Sequence, residues 1–173
     1  MADSGSIDLE RYRDLEGRSV GPWFKQIVRL VFLTWAILVL FGLIGQHPKA
    51  QTGTGPAASL QVDSPTRLRG GLYFQVRVTI TARRTIQNPR LVLDSGWFDG
   101  ITINTTSPQA SQELSRRDSV VYEYNQLSPG DKQTVWIESQ VNPTAVGRRL
   151  QSISLDDGNV QLARVTRHLT IFP

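Results

Sequence analysis

Three arginine pairs, Arg83-Arg84, Arg116-Arg117 and Arg148-Arg149, stand where apolar runs stop and polar turn residues begin. Gathered in one place, they would hold phosphate-bearing lipid headgroups or an anionic wall polymer through charge-assisted hydrogen bonds; scattered, they are solvated loop charges. Trp97-Phe98, in a loop, and Trp136, on the polar face of an alternating run, offer aromatic surface to a protein partner, while a loop aromatic can equally cap the end of a β-sandwich. His168 lies out of phase with Val165, Leu169 and Ile171, which places it on an exposed face with no acid-base partner marked beside it. Asp156-Asp157-Gly158-Asn159 carries oxygen ligands that calcium uses, but without the spacing of an EF-hand loop, so the segment reads as a turn.

Asp94 raises a different chemistry. Leu91-Val92-Leu93-Asp94-Ser95-Gly96 resembles the active-site strand of aspartic proteases, in which two carboxylates share a proton. The resemblance implies a membrane-tethered peptidase with Asp94 as its acid-base, and a single copy of the motif would need a dimer to supply the second aspartate. The simpler account is a strand that ends in an Asp-Ser-Gly turn, with the aspartate bonded to that turn.

The elements that must position these residues are extended. In residues 72–82, Leu72, Phe74, Val76, Val78 and Ile80 alternate with Tyr73, Gln75, Arg77, Thr79 and Thr81, so one face is buried and the other wet. Further strand-like runs cover 60–62, 86–93, 101–104, 120–124, 133–141, 151–155 and 160–171, separated by Gly, Pro, Asn and Asp. Asp157-Gly158 between two apolar runs predicts a hairpin. In the last run the apolar register passes from Val160 and Leu162 to Val165, Leu169 and Ile171, which predicts a bulge near Ala163-Arg164. These features predict an all-β domain, an immunoglobulin-like β-sandwich of seven to eight strands over residues 60–173. The chain has no cysteine, so neither a disulfide nor a thiolate metal site is available to it.

Strand 72–82, followed by QLSPGDKQTVWIESQV at 126–141, is similar to bacterial cell-surface immunoglobulin-like modules of the CARDB and related types. The resemblance places Leu127, Pro129, Gly130 and Asp131 in a turn and Val135 and Ile137 in the core. It implies a noncatalytic spacer or binding module.

One stretch has helical rather than extended character. Residues 27–45 carry a single charge, Arg29, whose long stem can snorkel to the headgroups, and as a helix they are about 28 Å long, enough to cross a hydrocarbon core. Nearly thirty residues precede the run, whereas a cleaved signal has a short basic leader and a small-x-small site. The best cleavage position, after Ala50, has Pro48 three residues back. Arg13, Arg18, Lys25 and Arg29 against Lys49 alone predict a cytoplasmic N-terminus. Within the span, Val31, Trp35, Leu38 and Gly42 form a stripe suited to a partner helix. Residues 1–26 are expected as a cytoplasmic tail with a short helix over 6–17, and 46–59 as a flexible tether.

The expected protein is therefore a single-pass membrane protein with its sandwich outside the cytoplasm, serving as an interaction or accessory subunit of a membrane or envelope complex. No catalytic residue, cofactor or metal is expected. Nucleic acid is not an expected partner, because a net charge of +4 spread along the chain lacks the concentrated field that nucleic-acid binding uses.

Overall fold

The computed structural model describes residues 21–40 and 48–173. The chain falls into two compact units that divide between Gly45 and Gln46.

The first unit contains α1 (Pro22–Leu40), 19 residues with none buried. It starts at Pro22, where Gly21-Pro22 reads from the sequence as a helix start, five residues ahead of the apolar span over 27–45. Pro22 has its backbone angle preset for the first turn, and nothing between Trp23 and Gln26 interrupts the helix. The proposed tail helix over 6–17 and the end of the span, including Gly42, lie outside the described residues. Thr34 Oγ1 donates to Leu30 O at 2.8 Å, the local bond open to a threonine at membrane depth.

The second unit is an immunoglobulin-like sandwich of two sheets. The five-stranded sheet runs β1 (Pro48–Thr54), β2 (Ala58–Pro65), β4 (Tyr73–Ala82), β9 (Lys132–Val141), β6 (Ile101–Ser107). The six-stranded sheet runs β3 (Arg67–Arg69), β11 (Val160–Phe172), β10 (Gly147–Asp157), β5 (Pro89–Asp94), β8 (Ser119–Glu123), β7 (Gln112–Arg116). All eight expected strands are present, and β1, β3 and β7 bring the total to eleven.

Alternation decides what faces inward. Val76, Val78 and Ile80 of β4 and Val135 and Ile137 of β9 are fully buried against Leu91 and Leu93 of β5 and Ile153 and Leu155 of β10. Each such side chain contributes about 1.5–3 kcal/mol by leaving water. Leu72 is an exception: it stands ahead of β4 and is exposed. The Pro129-Gly130 turn enters β9 as the resemblance implied. Gly130 has φ +90°, Asp131 Oδ2 accepts the Ser128 N–H at 2.7 Å, and Leu127 is buried.

The flexible tether expected over 46–59 is instead largely strand. β1 pairs with β2 along its length, from Pro48 opposite Pro65 to Thr54 opposite Ser59. Its small residues signify close approach and not looseness. A Cβ on Gly53 would collide with the carbonyl of Arg164, and one on Gly55 with that of Leu162. Glycine is therefore the residue that lets β1 lie against β11.

The bulge falls one residue ahead of the expected place. Leu155 opposes Ala163 while Asp156 opposes Gln161, which leaves Leu162 as the extra residue. After it, Ala163, Val165, Leu169 and Ile171 all point inward, and so does Arg167.

Candidate functional site

Arg167 is 4% exposed on the core-facing side of β11, with its guanidinium carbon 5.7 Å from the centre of the Trp97 ring. Its Nη2 donates to Pro65 O, and burial lowers its pKa to about 10. Trp97 itself, expected either as a loop aromatic open to a partner or as a cap on the end of the sandwich, is 1% exposed. Its Nε1–H donates to Ser152 O at 3.0 Å, so the short 3-10 turn Ser95–Trp97 drives the indole into the core as a wedge. Phe98 is half-buried against the same core. Neither residue forms an open contact surface, because a ring this large is stabilised more by filling the sandwich end than by facing water.

Trp136 remains 36% exposed on the outer face of β9, where it opposes Arg77 and takes that guanidinium 5.5 Å from its ring centre. Arg77 in turn pairs with Asp63 at 3.0 Å, so the three side chains form a ladder across β2, β4 and β9.

The arginine pairs do not gather. Arg83-Arg84 follow β4 at the end of the sandwich where Ala82 opposes Ala58. Arg148-Arg149 begin β10 at the opposite end, where Arg148 opposes Thr170 and Thr170 opposes Arg67. Arg116-Arg117 occupy the β7–β8 hairpin. Arg149 is committed locally, donating from Nε to Asp99 O at 2.6 Å and from Nη1 to Val146 O at 3.0 Å.

Asp94 ends β5 opposite Ser119, not opposite a second carboxylate, and its side chain makes no capping bond to the 3-10 turn that follows. The expected bond between Asp94 and its own turn is therefore absent; the turn is held by Phe98 and Asp99 N–H groups donating to Ser95 O. Asp157 Oδ1 accepts the Asn88 N–H at 2.8 Å, which fixes the β10–β11 hairpin to the start of β5. His168 is exposed on β11, opposite Leu150.

Sequence reasoning overlooked a concavity of the sandwich. β6 and β7 are edge strands of different sheets, joined by residues 108–111, and they diverge around a cleft of about 540 Å³. Asn104, Thr105, Thr106, Gln109, Gln112 and Glu113 line its walls, and Tyr122 of β8 lies at its base. A second hollow of about 290 Å³ shares Gln109 and Ser111 with the first and reaches Tyr124, Asn125 and Gln133. Ser111 anchors the divide, since both its N–H and its hydroxyl donate to Glu123 O at 2.8 Å.

Tyr124 is 7% exposed, and its hydroxyl has no hydrogen-bond partner among the described residues. Burial raises the Tyr122 phenol to about 12, with Glu113 adding to the effect. Tyr124 is raised further still, first by burial and then by Tyr122 and Glu113. The groove is thus lined mainly by neutral hydroxyls and amides, with one carboxylate, and its chemistry is hydrogen bonding. The signal for it is the twelve-residue uncharged run ITINTTSPQASQ at 101–112, in which the alternation marks only the short strand 101–104.

No protein family matches the sequence, and no curated protein is similar to it in sequence. Among solved structures, the CARDB domain of the PF1109 protein from Pyrococcus furiosus, described in complex with di-metal ions, is similar over 69% of this chain and 92% of its own, with 11% identity and a TM-score of 0.44. The sulfur carrier protein SoxY from Chlorobium limicola f thiosulfatophilum is similar over 82% and 96%, with 13% identity and a TM-score of 0.41. A non-cellulosomal cohesin from Archaeoglobus fulgidus is similar over 73% and 92%, with 13% identity and a TM-score of 0.40. They include the CARDB type that residues 126–141 resemble.

Proposed function

We propose that the chain is a single-pass membrane protein, with its N-terminus in the cytoplasm and its sandwich outside, that acts as a noncatalytic interaction subunit of a membrane or envelope complex. The observation that carries the proposal is α1. It is long and apolar enough to cross a membrane, has no residue buried in the protein, and is followed by a sandwich whose core closes on itself. Exposed Phe32, Trp35, Leu33 and Leu40 would lie against water at a cost of about 25 cal/mol per Å², a cost removed by hydrocarbon. Cleavage after Ala50 would remove three residues already paired in β1, where Lys49 opposes Ser64 and Ala50 opposes Asp63, which favours retention of the helix. The basic residues Lys25 and Arg29 at its start favour the inward N-terminus.

The helix also carries a recognition face. Ile27, Val31, Thr34, Trp35 and Leu38 line one shallow apolar hollow, so three of the four stripe residues share a face. A tryptophan in mid-span, away from the interface it prefers, fits a partner helix. The test replaces residues 27–45 by leucine while keeping Arg29. The original chain and this variant should both stay in carbonate-washed membranes, and the variant should lose the co-purified partner. Release of the original chain by carbonate would overturn the anchor; equal recovery of partner by both would assign recognition to the sandwich alone.

A further inference from the structure

The sandwich has four strands with a free edge, β1 and β6 in one sheet and β3 and β7 in the other. A free edge presents a row of unpaired N–H and C=O groups, and proteins guard such rows with charge, proline or brevity. β1 opens with Pro48-Lys49, β3 is three residues long, and β7 carries Glu113 and Arg116. β6 has none of these three, although an irregularity at Asn104, between Ile103 and Thr105, interrupts its ladder with β9. Its seven residues, ITINTTS, are uncharged, and five of them are β-branched, the composition that pairs most readily with another strand.

The cleft lies along this edge. β6 spends one row of its backbone groups on β9, and its other side faces the groove whose far wall is β7. Besides guarding β7, Glu113 is the one carboxylate lining the cleft, and it makes no ion pair among the described residues.

We infer that β6 is a docking edge on which an extended peptide segment of a partner protein adds as a sixth strand to the five-stranded sheet. The segment is uncharged and β-branched where it pairs with β6 and carries a lysine or arginine that meets Glu113. Burial of both tyrosine rings leaves no exposed aromatic face for a sugar to stack on, which favours peptide over glycan. The inference deepens the reading of the sandwich as an interaction module.

The test uses the full chain in phospholipid vesicles and a fluorescent nine-residue peptide of alternating valine and threonine with one terminal lysine. Carbonate retention of the chain is scored separately, so failure of the anchor and failure of the docking edge are told apart. The peptide should bind, and N-methylation of alternate backbone nitrogens should weaken binding at least about tenfold, since strand addition needs those donors. Glu113→Gln should weaken it about threefold for the lysine peptide while leaving a norleucine analogue unchanged. Thr105→Lys, a guard placed on the edge, should abolish binding without altering the near-ultraviolet circular dichroism of the sandwich. Equal affinity for the N-methylated peptide, capture of an N-acetylglucosamine tetrasaccharide in place of the peptide, or no binding of either would each overturn the inference.

Discussion

Arg167 and Trp97 hold opposite positions in the ledger of the core. The indole fills volume at one end of the sandwich and satisfies its N–H on Ser152, whereas the guanidinium is a buried cation whose Nε has no partner. Trp97→Ala should therefore cost about 3–5 kcal/mol, read as a fall in the denaturant midpoint. Arg167→Met, which keeps an apolar stem beside Trp97, should leave the midpoint unchanged or raise it, because removing a buried charge relieves its desolvation. The tyrosines make a second prediction. The Tyr122 phenol titrates near 12 when folded against 10.0 for the free side chain, so the native state holds its proton more tightly. Its contribution to stability is fully present below pH 10 and is lost as the pH rises through about 12. A titration followed at 295 nm should show phenolate appearing together with unfolding, and Tyr122→Phe should move the alkaline midpoint upward.

At the scale of the element, two glycines separate two physical causes. Gly130 has φ +90° and open space around its missing Cβ, so Gly130→Ala should lower stability by about 1 kcal/mol through backbone strain alone. Gly53→Ala instead forces β1 away from the Arg164 carbonyl, and protease should then cut between Thr54 and Ala58 in the variant but not in the parent. The same contrast explains what was legible in the sequence. β4, β9 and β11 could be read because one face of each is packed with Val, Ile and Leu, so burial imposes a period of two. β1 could not, since QTGTG has the composition of a linker and its order comes from β2 and the backbone of β11, which lie elsewhere in the chain. β7 and β3 are polar and short for the same reason: they are edges.

Across the whole molecule, the division into an apolar helix and an all-β unit follows from composition, while the groove does not. Trp97 and Trp136 drew attention as large aromatics, yet one is a core wedge and the other a rung of an Arg77–Asp63 ladder. The cleft depends on two edges from different sheets meeting across a loop, a juxtaposition that no local pattern encodes. What α1 does is the claim on which the rest depends, and the absence of cysteine provides a direct test. Ser4→Cys and Asn159→Cys, made singly in the full chain, place one thiol before the helix and one in the exposed hairpin of the sandwich. A membrane-impermeant maleimide added to spheroplasts of a bacterial host should label the thiol at 159 at once, and the thiol at 4 only after lysis. Labelling at position 4 without lysis, or protection at 159 until lysis, would contradict the account.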